Sequence, residues 1–494
     1  MSVPPDLRRR NFAGADIAEI NTRRVSTLLF ADGKGCADGL APVATPRPDG
    51  RRAAPVPWTI PLVLAGAILS AVAQEPAGPE PGGAAVAADV AEDTLMVAEP
   101  LPAGDVSAAE AVGEPVALIE AGAAGRRGRW RVAPHFDVTG TYDDNIFIKS
   151  ANKVADYILT LAPGVALGFW DEEEERERYL ARQHGASVIE RRGGSFLMVD
   201  YTAILLGFAR TSSQNAFDHD ARFAWRWNVG KLTVGGDVHA ESKSETNADV
   251  GGRIRRRTLT AEVRASYDLT AKTALEIALF NIHNDPENYV RTVEWRGEAY
   301  AGYAVTPLVK LGLGVAAGRV NVEGGDDRTF EQVFTAVAYS LGEKLEVGAR
   351  GGVEFRQSDG PSGDAASPIF ELRATWVPAE ETRVGLEAFR RVETSALQAN
   401  QDILLTGVAL TFQRELRAGF HFIFEGGYQV SEYTEGGGGA DRTDRYYFVR
   451  PGLLYNFAHW GNARVTYAHR SNDSNRSVSS FDNNQITVQV SLIY

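Results

Sequence analysis

The 494-residue chain has a formal net charge of −13, with 44% hydrophobic and 23% charged residues. No basic excess exists to neutralise phosphates, which sets nucleic-acid binding aside, and no uninterrupted apolar run of about 18 residues supports a bundle of spanning helices. A membrane β-barrel survives both tests, because only every second strand residue faces lipid.

Residues 1–50 show no periodic pattern and are read as an unstructured extension, upstream of the true start. The single cysteine, Cys36, lies in it and allows no intramolecular disulfide. Residues 51–73 then have the three parts of an export signal. Arg51 and Arg52 precede an apolar core from Trp58 to about Leu69, and "AVA" ends just before Gln74. Ala71 and Ala73 supply the small side chains that a signal peptidase admits, so cleavage is expected after Ala73. A short membrane anchor is the alternative, disfavoured by the brevity of the core and by Pro61. Residues 74–125 are rich in Ala, Pro, Glu and Gly and show no strand rhythm. Such a stretch buries too little apolar surface to offset its ordering entropy, and a disordered periplasmic tether is expected.

From residue 126 to 494 one pattern repeats: segments of roughly ten residues alternate apolar with polar, the length of a tilted strand that spans a bilayer. "LTVGGDVHA" sorts Leu232, Val234 and Val238 against Thr233, Asp237 and His239. "TLTAEVRASY" sorts Leu259, Ala261, Val263 and Ala265 against Thr260, Glu262, Arg264 and Ser266. Tight connectors such as "NVGK", "AVTPL" and "VPAEE" take turns with long polar ones such as "SETNADVGGR", "QSDGPSGDAAS" and "TEGGGGADRTD". Short turns on one rim and long loops on the other mark an outer-membrane barrel. The expectation is an all-β, up-and-down antiparallel transmembrane barrel of about 18 strands (16–18), following the signal peptide and the disordered linker. One link breaks the rhythm. Residues 171–194, within "WDEEEERERYLARQHGASVIERRGG", form a charged insert at a short-turn position.

Charge decides which face points inward. An Arg or Lys at mid-bilayer on the lipid face costs about 2–4 kcal/mol, so one such residue on most strands would exceed a net stability of about 5–15 kcal/mol. The charged side is therefore expected to line the lumen, with Glu262, Arg264, Glu276, Glu294, Arg296, Glu298, Lys310, Glu371 and Arg373 on it. Acid–base roles for groups such as Glu294 and Glu298 are the alternative to solvated lumen charges. Tyr157, Trp170, Trp225, Trp227, Tyr300, Tyr303, Trp376, Tyr433, Tyr446, Tyr447, Tyr455 and Trp460 sit toward strand ends, where girdle aromatics belong; core packing is the alternative. The chain ends on "QITVQVSLIY", an alternating strand with Tyr494 on its apolar side. It is expected to close against the first strand, since a free edge would expose unpaired backbone.

"TYDDNIF" follows the first strand, and Tyr142, Asp143, Asp144 and Asn145 resemble a short element near the start of the β-barrel porin type 2 family of bacterial outer-membrane proteins. Asp143 and Asp144 offer either oxygen ligands for Ca²⁺ or a turn in which Asp and Asn bond nearby backbone. A C-terminal aromatic such as Tyr494 likewise resembles the assembly signal of outer-membrane barrels, which implies the barrel-assembly machinery and outer-membrane lipids as partners. The resemblance, covering roughly Trp130 to Tyr494, implies a cleaved precursor placed in the bacterial outer membrane.

The functional expectation is a non-enzymatic porin-like channel for small hydrophilic solutes, or one involved in export of a polymer such as a polysaccharide. No cofactor or metal is expected: the histidines are scattered without ligand spacing. A closed barrel acting as a surface scaffold or adhesin through its loops is the alternative. An outer-membrane hydrolase is a distant third, since no GxSxG is present.

Overall fold

The computed structural model describes residues 130–169, 195–247, 252–341, 344–360, 364–395, 399–435 and 440–493. The extension, the export signal with Ala71 and Ala73, the tether, the 171–194 insert, Trp170 and Tyr494 lie outside these residues. Eighteen strands make up nearly all of what is described. They are β1 (Arg131–Asp143), β2 (Asp156–Phe169), β3 (Phe196–Phe208), β4 (Ala216–Val229), β5 (Leu232–Asn247), β6 (Gly252–Asp268), β7 (Thr273–Pro286), β8 (Thr292–Ala304) and β9 (Val309–Val322). β10 (Arg328–Leu341), β11 (Leu345–Ser358), β12 (Ala365–Ala379), β13 (Thr382–Thr394), β14 (Gln401–Arg417), β15 (Phe420–Glu435), β16 (Ala440–Ala458), β17 (Gly461–Ser474) and β18 (Phe481–Ile493) follow.

Each strand pairs antiparallel with its neighbours in sequence, and β18 pairs with β1 from His135↔Ile493 to Asp143↔Gln485. The sheet is therefore a closed up-and-down barrel without a free edge strand. Closure satisfies the backbone groups of every strand on both sides, which is what allows a sheet to cross hydrocarbon.

The period of two holds along the wall. On β7, Leu275, Ile277 and Leu279 are exposed, while Ala274, Glu276, Ala278 and Phe280 between them are buried. On β9, Leu311, Leu313 and Val315 point outward opposite Gly312, Gly314 and Ala316. Ile277 is 60% exposed, Leu279 64% and Leu313 65%. Apolar residues this exposed, on strand after strand around the barrel, form a band that water does not tolerate and lipid does.

Outward rings gather near the short-turn rim: Phe420 stacks on Tyr455 at 4.1 Å, and Phe457 meets Trp460 edge-on at 5.6 Å. Tyr303 and Trp376 are exposed on the same side. Three of the expected girdle aromatics point the other way. Tyr300, Tyr433 and Tyr446 share strand parity with Glu298, Ser431 and Asp444, and so face inward. Nearness to a strand end does not reveal this; only the register does.

The inward rings lie against the wall because small residues make room for them. A Cβ at Gly314 would fall 2.2 Å from the Phe334 ring, and one at Gly312 would fall 2.1 Å from the Tyr300 hydroxyl. Gly312, Gly314, Ala316 and Gly318 on β9 thus form a trough between the aromatics of β8 and β10.

Long polar segments that read as loops are partly strand. β5 runs on to Asn247 and β6 resumes at Gly252, and β15 reaches Glu435 before β16 begins at Ala440. Backbone pairing within a hairpin is indifferent to polar side chains, so the ladder continues after the apolar rhythm stops.

Leu313→Arg is expected to cost about 2–4 kcal/mol if Leu313 sits near mid-bilayer, read as a lower urea midpoint in vesicles. Leu341→Arg, on the outward face at the short-turn end of β10, serves as the depth control, with an expected cost of about 0–1 kcal/mol near the interface.

Candidate functional site

All nine charged residues singled out from the sequence lie on the face opposite the exposed apolar side chains. Glu262 and Arg264 flank outward Val263 on the inner face of β6; Glu276 on β7, Glu294, Arg296 and Glu298 on β8 and Lys310 on β9 share the face of Glu262 and Arg264 across the ladder. Glu371 and Arg373 take the same face of β12, where Phe370 and Trp376 point out.

These groups are interleaved rather than scattered. The Arg264 guanidinium lies 2.6 Å from both Glu262 Oε1 and Glu276 Oε1. Arg296 sits 3.3 Å from Glu298 and 3.9 Å from Glu294. Arg350 of β11 bridges Glu298 at 3.5 Å and Glu371 at 3.6 Å, and Arg373 reaches Glu387 of β13 at 3.3 Å. Several guanidinium planes also cover inward rings: Arg296 over Phe280 at 4.2 Å, Arg350 over Phe334 at 4.6 Å and Arg391 over Phe389 at 4.6 Å. The result is a wall from β6 to β13 in which Arg264, Arg296, Arg350, Arg373 and Arg391 each have a carboxylate beside them and several have a π-face beneath.

The wall near the β1–β18 junction is built from hydroxyls and amides. Thr141 Oγ1 meets Thr487 Oγ1 at 3.1 Å, and Gln489 donates to Asp137 at 3.3 Å. Arg350, Glu354, Arg356 and Arg391 belong to the inner face as well and were missed from sequence. In "GARGGVEFRQ" the glycines hide the alternation that would have exposed the first three. The inward group Asp220, His239 and Glu241 brings three ligand-type atoms within 4.8 Å of one another. His239 Nε2 lies within hydrogen-bonding distance of Asp220 at 3.0 Å, however, and Lys243 Nζ is 2.6 Å from Glu241, so these groups already have protein partners.

The segment Tyr142–Asn145 stands where the barrel closes. Asp143 Oδ1 accepts from the Asn145 N–H at 2.8 Å and from Asn483 Nδ2 at 2.6 Å, and Oδ2 accepts from Gln485 Nε2 at 2.8 Å. Asp144 accepts the Asn484 N–H at 2.8 Å and Asn484 Nδ2 at 2.7 Å. Asn145 donates to the Lys149 carbonyl at 2.8 Å and to the Asp482 carbonyl at 3.1 Å. The Tyr142 ring packs 5.1 Å from Tyr157. Both carboxylates are thus ringed by N–H donors from the last strand, which is hydrogen-bonding chemistry rather than cation ligation. The turn reading accounts for Asn145 and Lys149; the clasp between the two ends of the barrel is visible only in three dimensions.

Asp143→Ala removes the acceptor 2.6 Å from the buried Asn483 amide and the acceptor 2.8 Å from the half-buried Gln485 amide. A loss of about 1–3 kcal/mol is expected, measured as a lower melting point of the unboiled, compact band on a heat-modifiability gel.

Residues 334–494 match the family model of Putative beta-barrel porin 2, a stretch running from within β10 to the end of the chain. No curated protein matches the chain. Among solved structures, it is similar to Pseudomonas aeruginosa OpdK crystallised with vanillate, at 12% identity and a TM-score of 0.38, covering 74% of this chain and 99% of that one. It is also similar to Pseudomonas aeruginosa OccK2 (OpdF) in complex with glucuronate, at 11% identity and a TM-score of 0.41, again covering 74% and 99%. For OccK3 (OpdO) of the same organism the values are 12%, 0.40, 74% and 95%.

Proposed function

We propose that this chain is a porin-type channel of the outer membrane rather than an enzyme, and that small hydrophilic solutes cross the membrane along its charged inner wall. One observation carries the reading: the ion-paired face from Glu262 to Glu387 points into a closed ring of eighteen strands. Ionised groups in such numbers demand water around them, and a ring of 16–18 strands is wide enough to hold it. The β9 trough supports the same reading, because Tyr300 and Phe334 fold back onto glycine instead of crossing the lumen.

On this reading Glu262, Arg264, Glu276, Glu294, Arg296, Glu298, Lys310, Glu371 and Arg373 line the solute path. Outer-membrane lipid surrounds the apolar band, and the barrel-assembly machinery receives the final strand. Export of a polymer is the extended form of the proposal. The scaffold reading draws on the long loops of one rim, and it requires a barrel that does not conduct.

Refolded protein in planar bilayers is expected to open in discrete ion-conducting steps; silent insertion of correctly folded barrels overturns the channel in favour of the scaffold. Gly314→Val is expected to push the Phe334 ring off the wall and lower the unit conductance, while the heat-modifiable band persists.

A further inference from the structure

One group on the inner wall is set apart by the kind of partners it has. His239 and Glu241 lie two residues apart on β5, on the face that carries Asp237, and Asp220 of β4 stands directly opposite Glu241 in the ladder. One ligand-type atom from each of the three side chains lies within 4.8 Å of the others. His239 Nε2 is 3.0 Å from Asp220 Oδ1 and 3.9 Å from Glu241 Oε2.

These separations match those of atoms that share a metal ion. Zinc holds imidazole nitrogen and carboxylate oxygen at about 2.0–2.2 Å, which sets neighbouring ligand atoms about 3.4 Å apart in a tetrahedron. The two measured edges fall on either side of that value, so small side-chain rotations complete the triangle without moving the ladder. One imidazole with two carboxylates suits a borderline first-row ion better than Ca²⁺ or Mg²⁺, which take oxygen ligands. The two carboxylates also cancel the charge of a divalent ion. The three side chains keep 30%, 26% and 13% of their surface exposed, for Asp220, His239 and Glu241, and an ion can reach them from inside the barrel.

Their present partners are ones that a metal ion replaces. A 3.0 Å contact between an imidazole nitrogen and a carboxylate oxygen holds a proton, and Glu241 Oε2 has the Lys243 ammonium at 2.6 Å. Neighbouring carboxylates are held differently. Arg222, opposite His239 in the ladder, is turned to Asp237 at 3.0 Å, and Arg256 holds Glu245 at 2.7 Å. Asp218 accepts the Ser244 N–H and hydroxyl at 2.7 and 2.8 Å. A guanidinium pairs through a rigid planar fork, whereas an ammonium is a point charge on a flexible stem. Lys243 is thus a cation already drawn to this place, on a side chain that can swing away.

We propose that Asp220, His239 and Glu241 form a binding site for a divalent first-row transition-metal ion such as Zn²⁺, and that Lys243 is the displaceable counter-ion of the metal-free site. The proposal goes beyond the channel reading and holds for the folded barrel whether or not it conducts. Scattered histidines argue against a site of paired histidines; here a single histidine is joined to a carboxylate of the next strand, which only the register reveals.

Calorimetric titration with Zn²⁺ tests it, on the full chain folded in detergent, without an affinity tag and in a Cys36→Ser background. One equivalent is expected to bind, and excess Ca²⁺ or Mg²⁺ is expected not to displace it. His239→Gln and Asp220→Asn are each expected to weaken binding by more than about 100-fold, beyond the loss of an outer-shell partner. Lys243→Gln is expected to tighten binding about tenfold, because a competing charge is removed; misfolding cannot mimic that gain. His469→Gln, on the outward face of β17 with exposed Tyr467, is expected to change nothing. Wild type that binds no Zn²⁺, or binding that survives His239→Gln in a barrel with its heat-modifiable band, overturns the site. Unchanged affinity in Lys243→Gln overturns the counter-ion role. None of these readouts depends on conductance, so silent bilayers overturn the channel and leave the metal site standing.

Discussion

A strand inside hydrocarbon has no water to bond, so every N–H and C=O must find a partner in the neighbouring strand. The rest of this structure follows from that demand. It forces the sheet to close, brings β18 against β1, and makes the junction between the two chain ends the place where closure is decided. The Asp143–Asp144–Asn145 segment concentrates its hydrogen bonds there, reaching Asp482, Asn483, Asn484 and Gln485 across a sequence separation of more than 330 residues. Contacts of that range carry the largest loop-closure entropy in the chain, and charge-assisted bonds, being stronger than neutral ones, suit the position.

Closure also divides the side chains into two populations with different solvents. Outward positions keep Leu, Ile and Val exposed, since lipid asks nothing of them. Inward positions hold ionised groups that would be prohibitive in lipid. Their arrangement follows the ladder: Glu262, Arg264 and Glu276 are brought together by the β6–β7 register, and Glu298 and Glu371 are joined by Arg350 across intervening strands. Planar guanidinium groups suit this wall because they can pair with a carboxylate edge-on while covering a ring with their face. Glycine on β9 completes the arrangement by letting those rings lie flat.

Much of this was legible from a period of two. Val263 and Glu262 separate on sight, and the alternation of short and long connectors orders eighteen strands without any knowledge of their neighbours. Legibility fails where a residue's environment comes from another strand. Tyr300, Tyr433 and Tyr446 look like girdle aromatics by their distance from a strand end, yet their parity turns them inward. Arg350 and Arg356 are obscured by Gly351 and Gly352, which interrupt the apolar alternation along β11. The polar segments near Ser244 and Asp402 look like solvated loops, and only the tertiary structure reveals that Ser244 bonds to Asp218 and that Asp402 meets Arg328.

By itself, then, the amino-acid order determined the class of structure: strands of membrane-spanning length, one greasy face and one charged face, and therefore a closed cylinder in lipid. Those features are local, because each depends on residues two positions apart in one strand. Tertiary structure decided which carboxylate meets which guanidinium, how the first and last strands are fastened, and which aromatics turn inward. These depend on register and on side chains that meet across several strands, and no pattern along a single strand contains that information.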